Sequence, residues 1–185
     1  MAIGLRCLIG VVFLASSVSK LARRGSFAAF ASSVRDMRLL PSALVKPVAS
    51  LVLAAELAVC VLLAMPPAPA AATGLLVAGL LSVIFAVAIA VSARRGVSAA
   101  CRCFGASNVP LGPVHVVRNL ILAVVAAVGA VMTSMASGPV DSAGALVAAL
   151  AGPPAGAVII LLDDIVELFQ PVGKVPRSWT ISGRS

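Results

Sequence analysis

Residues 71–93 read AATGLLVAGLLSVIFAVAIAVSA, a run with no ionisable side chain. About 20 apolar residues, each rising 1.5 Å along a helix, cross a hydrocarbon core ~30 Å thick. A helix is the form such a run must take in lipid, because it satisfies every backbone N–H and C=O within the segment. Thr73 and Ser82 are its only polar side chains besides Ser92, and their hydroxyls can bond back to the helix's own carbonyls. The stretch therefore predicts a transmembrane helix, and the rest of the chain is read around it.

Working outward, Met65-Pro66-Pro67 precedes the run and Arg94-Arg95 ends it. Similar runs lie at about Ala43–Met65 and Val114–Met132, with another from Met1 to about Leu21. A fifth, about Ala143–Leu168, is interrupted by Pro153-Pro154. Proline removes a helix donor and kinks the helix, which a membrane bundle tolerates where neighbours re-satisfy the carbonyls. The expected fold is all-α: a polytopic membrane bundle of four to five transmembrane helices, the last kinked at Pro153-Pro154. Residues 1–170 form one transmembrane domain in this reading, and residues 171–185 a basic tail.

Composition agrees. Of 185 residues 61% are hydrophobic and 11% charged, and mean hydropathy is +1.15. Soluble domains run at roughly 45–50% apolar and about 25% charged. The first run also has features of a signal peptide, with Arg6 ahead of an apolar stretch and small residues at Ala15-Ser16-Ser17. Its apolar character continues through Val18 and Leu21, so it is read as a retained helix.

The net charge of +8 is unevenly placed. Lys20, Arg23, Arg24, Arg35, Arg38 and Lys46 flank or occupy the first connection. Arg94, Arg95 and Arg102 belong to the third, and Lys174, Arg177 and Arg184 to the tail. The second and fourth connections carry no basic residue. The positive-inside rule then sets the N-terminus outside, with the first and third loops and the tail in the cytoplasm. Basic residues meeting anionic headgroups explain the charge without a nucleic-acid partner. In the first loop Phe27, Phe30, Val34 and Met37 recur at helical spacing, opposite Ser32, Ser33, Arg35, Asp36 and Arg38. That pattern predicts an interfacial amphipathic helix, ended by Pro41.

The third connection holds Cys101-Arg102-Cys103-Phe104-Gly105. Together with Ser19-Lys20-Leu21, Leu40-Pro41, Glu56, His115, Arg118-Asn119-Leu120 and Leu162-Asp163-Asp164, it resembles the MauE family of methylamine utilisation proteins, within a wider MauE/DoxX-like group of redox-associated membrane proteins. The resemblance implies a role in the disulfide chemistry of exported proteins, beside a thioredoxin-like partner. In the founding family that role supports maturation of the disulfide-rich small subunit of methylamine dehydrogenase.

The residues give that role chemical content. Arg94, Arg95 and Arg102 surround Cys101 and Cys103 with positive potential, which favours thiolate, the attacking form in disulfide exchange. A disulfide across one residue departs from relaxed geometry and is readily reduced. Two other readings stay open: a metal or other thiol-binding site, and two inert loop cysteines. Two thiolates do not complete a tetrahedral zinc site, and His115 is the nearest further ligand, so no metal is assigned. Cys7 and Cys60 fall at similar depths near the outer face, as a possible second thiol pair or as two small buried hydrophobes.

Glu56 is the one acidic residue deep in the first four runs, and a carboxyl at that depth demands a partner or a polar cavity. Arg6 and Arg118 are the candidate partners, with Asn119 and Ser16 or Ser17 adding hydrogen bonds. A structural ion pair and a proton-transfer role remain equal readings. Arg118-Asn119 is suited to hold Glu56, the carbonyl of a quinone cofactor, or loop carbonyls. His115 is expected at the interface, and Asp163, Asp164 and Glu167 against the cytoplasmic arginines.

One conflict follows. Disulfides form outside the cytoplasm, yet the charge pattern sets Cys101 and Cys103 inside. Either the sidedness is inverted, or reducing equivalents pass outward through Cys7 and Cys60, or the loop does no thiol exchange. The expected function is a membrane-embedded thiol–disulfide helper acting with a thioredoxin-like protein on an exported client; the alternative is a non-enzymatic scaffold or small-solute carrier. Phosphate-binding loops, hydrolase triads and flavin or haem signatures do not occur.

Overall fold

The computed structural model describes residues 2–22, 24–95 and 113–135, with helical residues at 150–152, 154, 156 and 157. Among the described residues the regular structure is all helical: α1 (Ala2–Leu21), α2 (Ser26–Asp36), α3 (Ser42–Ala64), α4 (Ala68–Arg94) and α5 (Pro113–Met135). Four of these, all but α2, are long and apolar enough to cross a membrane. They lie within a few residues of the runs read from the sequence. The helical residues 150–152 and 156–157 flank the proline pair, and the question of a complete fifth span lies outside the described residues.

The outside of the bundle is as apolar as its core. Leu51, Val61, Leu76, Leu80 and Val124 each expose 61–68% of their surface. In water such a belt would drive aggregation; in a bilayer it is the solvent-facing side. The main core is Ile9, Val12 and Phe13 of α1, Val59 and Leu63 of α3, Leu75, Ala78 and Leu81 of α4, and Leu122, Ala126 and Ala130 of α5. Burial against protein gains little over burial in lipid, so close van der Waals packing has to hold the helices together. Small residues permit it. Gly79 lies against Ala123 and Ala126, and Gly129 against Leu75 and Leu5, making α4 with α5 the most extensive helix pair.

The connection from α3 to α4 is short. α3 turns into α4 through Met65-Pro66-Pro67, and proline there fits because the first helical N–H groups need no intrahelical acceptor. The guanidinium of Arg6 on α1 donates to the carbonyl oxygens of Leu63 and Met65. It closes the C-terminal end of α3, where carbonyls lack helical partners and the dipole favours a cation.

α2 begins after Gly25, whose φ of 95° lies in the left-handed region. It ends at Asp36, ahead of Arg38 at φ 52°, so the left-handed residue stops it before Pro41 does. Pro41 serves as the N-cap of α3. The stripe expected to face lipid packs largely on protein. Phe30 and Ala31 are buried with Val45 and Ala49 of α3, next to Phe27, Val34 and Phe85. Met37 is buried with Ile89, beside Val116, and its carbonyl accepts from Ser92 Oγ at 3.3 Å. α2 thus covers the end of the bundle where α4 finishes and α5 starts.

The glycine approach between α4 and α3 is testable. A Cβ at Gly74 would sit 2.9 Å from Leu62 Cβ, whereas one at Gly79 would meet nothing nearer than 3.5 Å. Gly74→Ala is expected to lose about 1–3 kcal/mol, and Gly79→Ala to stay within about 0.5 kcal/mol. Thermal unfolding of the purified protein in detergent or nanodiscs reads the difference, and equal effects would contradict the packing described.

Candidate functional site

Lys20 stands in the last turn of α1, where a lysine would ordinarily extend its stem to the headgroups. Here it turns inward. Helical Cα–Cβ bonds tilt toward the N-terminus, and the side chain runs back one turn to Ser16. Nζ donates to Ser16 Oγ at 2.6 Å and to Ser16 O at 3.3 Å. From there it reaches Glu56 of α3, at 2.9 Å from Oε1 and 3.0 Å from Oε2. Ser16 Oγ donates to the same Oε1 at 3.0 Å. The ring of Phe30 on α2 lies beneath the ammonium, its centroid 4.8 Å away, close enough for cation–π attraction.

The two side chains are 1% and 2% exposed. A charge alone at that depth costs at least ~2.5–3.5 kcal/mol, and the ion pair, the serine and the aromatic ring together offset it. Glu56 was legible as a buried carboxyl needing a partner, and Ser16 as a hydrogen-bond donor to it. The partner is Lys20, where Arg6 and Arg118 had been the candidates. Arg6 is held by the α3 carbonyls. The signal that could have found Lys20 is its spacing of four from Ser16, which stacks both on one face of the helix.

Beside the pair lies a small cavity, with about 20 Å³ open to a molecule the size of water. α1 contributes Val12, Phe13 and Ser16, and α3 contributes Glu56. Ser82, Phe85 and Ile89 come from α4, and Arg118, Asn119 and Leu122 from α5. Its lining combines apolar side chains with five polar ones, Ser16, Glu56, Ser82, Arg118 and Asn119. Arg118 and Asn119 are each 6% exposed and His115 is 7% exposed. Asn119 Nδ2 donates to His115 O at 2.7 Å, and Ser82 Oγ to Ala78 O at 2.9 Å. The structure thus brings Glu56, Arg118 and Asn119 around one cavity, and buries His115 against protein in the first turn of α5.

The cysteines fall differently. Cys101 and Cys103 lie outside the described residues, as do Asp163, Asp164 and Glu167. Cys7 and Cys60 are both free thiols. Ser16 meets Glu56 and Gly10 meets Leu63. That antiparallel register sets Cys60 roughly five residues, or ~7 Å of helix, deeper than Cys7. Cys60 packs against the main core, while Cys7 abuts Gly152. Equal distances from helix ends had suggested equal depth; the stagger of α1 against α3 removes it. Among the described residues no group of three His, Cys, Asp or Glu side chains converges on a metal position.

A family model described as methylamine utilisation protein MauE matches residues 1–132. The chain belongs to the MauE family. The match takes in all of α1–α4, most of α5, and the connection bearing Cys101 and Cys103; Leu162-Asp163-Asp164 lies beyond it. No curated protein and no solved structure matches the chain. The MauE assignment links this multi-pass membrane protein to methylamine utilisation, and the polar cluster of Ser16, Lys20 and Glu56 falls wholly within the matched region.

Removing one partner of a buried pair leaves the other charge uncompensated. Lys20→Met and Glu56→Gln are each expected to cost about 3–5 kcal/mol, with the double variant losing clearly less than their sum. Unfolding of all three variants in the same lipid or detergent measures the coupling; strict additivity would mean that the pair contributes nothing.

Proposed function

We propose that this MauE protein is a membrane-embedded helper of thiol–disulfide chemistry, acting with a thioredoxin-like protein in the maturation of an exported client. Its redox pair is Cys101 and Cys103, and by family resemblance the client is of the methylamine-dehydrogenase type. The observation that carries the reading is where the Cys-x-Cys connection is rooted. It leaves α4 at Arg95 and enters α5 at Pro113, and both helices line the pocket that holds Glu56, Arg118 and Asn119 within one to four turns of those ends.

The chemistry fits. Arg94, Arg95 and Arg102 lower the free energy of a thiolate in that connection. A Cys-x-Cys disulfide is strained and so readily exchanged with a partner's dithiol. The basic connections set the N-terminus outside and Cys101 and Cys103 on the cytoplasmic side, so reducing equivalents pass outward, from the pair toward the client's partner. Lys20, Glu56, Arg118, Asn119 and His115 support the site as buried polar groups.

Thiol trapping on intact cells tests this. Cys101 and Cys103 are expected to react with a maleimide only after reduction, and only when the reagent is membrane-permeant. Reaction of both with the permeant reagent alone and without prior reduction means cytoplasmic free thiols, which ends disulfide donation to exported clients and leaves outward electron transfer or a scaffold. Reaction with an impermeant reagent after reduction puts the pair outside and reverses the direction of flow. Cys101→Ser with Cys103→Ser is expected to abolish client maturation; full maturation without these thiols would leave a scaffold or carrier.

A further inference from the structure

Glu56 has more hydrogen-bonding capacity than its protein partners use. A carboxylate offers about four lone-pair positions on its two oxygens. Oε1 accepts from Ser16 Oγ and from Lys20 Nζ, whereas Oε2 accepts from Lys20 Nζ alone. One position on Oε2 is therefore left over, deep among the spans. Asn119 has a similar surplus. Nδ2 gives one N–H to His115 O, which leaves a second N–H and the side-chain carbonyl oxygen. Ser82 Oγ gives its proton to Ala78 O and keeps lone pairs for accepting. Both side chains are buried.

All three side chains line the cavity beside the ion pair. It leaves about 20 Å³ open to a molecule the size of water. A cavity of ~10–15 Å³ or more holds one water when two to four polar groups meet it. A ring has no room there, so the quinone for which Arg118-Asn119 is suited by residue type has no place in it. Charge narrows the choice further. The Arg118 guanidinium in the wall and Lys20 on Glu56 oppose a metal cation, and the Glu56 carboxylate opposes an anion. An apolar occupant would meet none of the remaining donors and acceptors. A small neutral molecule that both donates and accepts meets them all.

We infer that this cavity binds a single water molecule, which joins Glu56 of α3 to Ser82 of α4 and Asn119 of α5. The water donates one proton to the Glu56 carboxylate and the other to Ser82 Oγ, and it accepts the second N–H of Asn119. Lys20 and Ser16 tie the same carboxylate to α1. The ion pair alone joins α1 to α3, and the water extends that polar contact to the two remaining spans. The site belongs to the fold, and it stands whether or not Cys101 and Cys103 exchange disulfides.

The test uses the full chain, purified in phospholipid nanodiscs and pulsed with X-rays. Radiolysis turns a bound water into a hydroxyl radical where it sits, and the radical hydroxylates a nearby aromatic ring. Phe13 and Phe85 line the cavity, whereas Phe30 is buried outside it and serves as the dry comparison. Mass spectrometry is expected to find Phe13 and Phe85 hydroxylated well above Phe30. In water enriched with heavy oxygen the new hydroxyl groups are expected to carry the heavy isotope. Ser82→Val fills the cavity and breaks only a bond within α4. Asn119→Leu removes a polar partner at similar size. Each variant, its fold checked by circular dichroism, is expected to lose this labelling, and replacing chloride by gluconate is expected to leave it unchanged. Rings no more modified than Phe30, or modified with light oxygen, overturn the proposal. So does labelling that either folded variant keeps in full. A rise in labelling when chloride is removed would give the site to an anion and overturn it too.

Discussion

The fold depends on one pair of opposite charges brought together where neither could remain alone. Lys20 and Glu56 join α1 to α3 across 36 positions of sequence, in an interior that offers no water to either. Hydrophobic burial cannot set the register of these helices, because lipid receives leucine as well as a neighbouring helix does. A buried ammonium and carboxylate can. Sliding α3 by one turn would separate the charges by roughly 5 Å and leave each without its partner. The pair therefore sets which residues meet, and so which line the pocket.

Packing by small residues then fixes the rest. α4 approaches α5 through Gly79 and Gly129, and α3 through Gly74. Hydroxyls within these spans turn back on their own helices: Ser17 to Phe13, Thr73 to Pro69, Thr133 to Gly129 and Ser134 to Ala130. These serines and threonines consequently cost little at depth, and they leave the polar lining of the cavity to Ser16, Glu56, Arg118 and Asn119 beside Ser82. α2 completes the arrangement by laying Phe30 under the ammonium.

The spans were legible because length and apolarity are all that a bilayer asks of a helix. Residues 71–93 admit no other reading, and α4 differs from that run only by three residues at the start and one at the end. Glu56 was legible for the same reason inverted, as a side chain lipid cannot take. Its partner was not. A lysine at the end of an apolar run normally reads as an interfacial anchor, and only the backward lean of a helical side chain carries Lys20 inward. The destination of α2's apolar face was also hidden, since one amphipathic pattern serves a membrane surface and a protein surface alike. The depth of Cys60 relative to Cys7 depended on the stagger of two helices, which no single-helix pattern contains.

The order in which the chain is made gives the ion pair a further meaning. Lys20 is synthesised well before Glu56, so α1 has to enter the bilayer with its lysine unpaired. Its place in the last turn makes this bearable, because a long flexible stem can keep the ammonium among the headgroups while it waits. Glu56 has no such refuge: it stands near the middle of α3 on a short side chain. The group that can wait is made first, and the group that cannot arrives when its counter-ion is already in place. Exchanging the two residues would preserve the attraction in the finished bundle while leaving a carboxylate, on its shorter side chain, to wait alone at the end of α1.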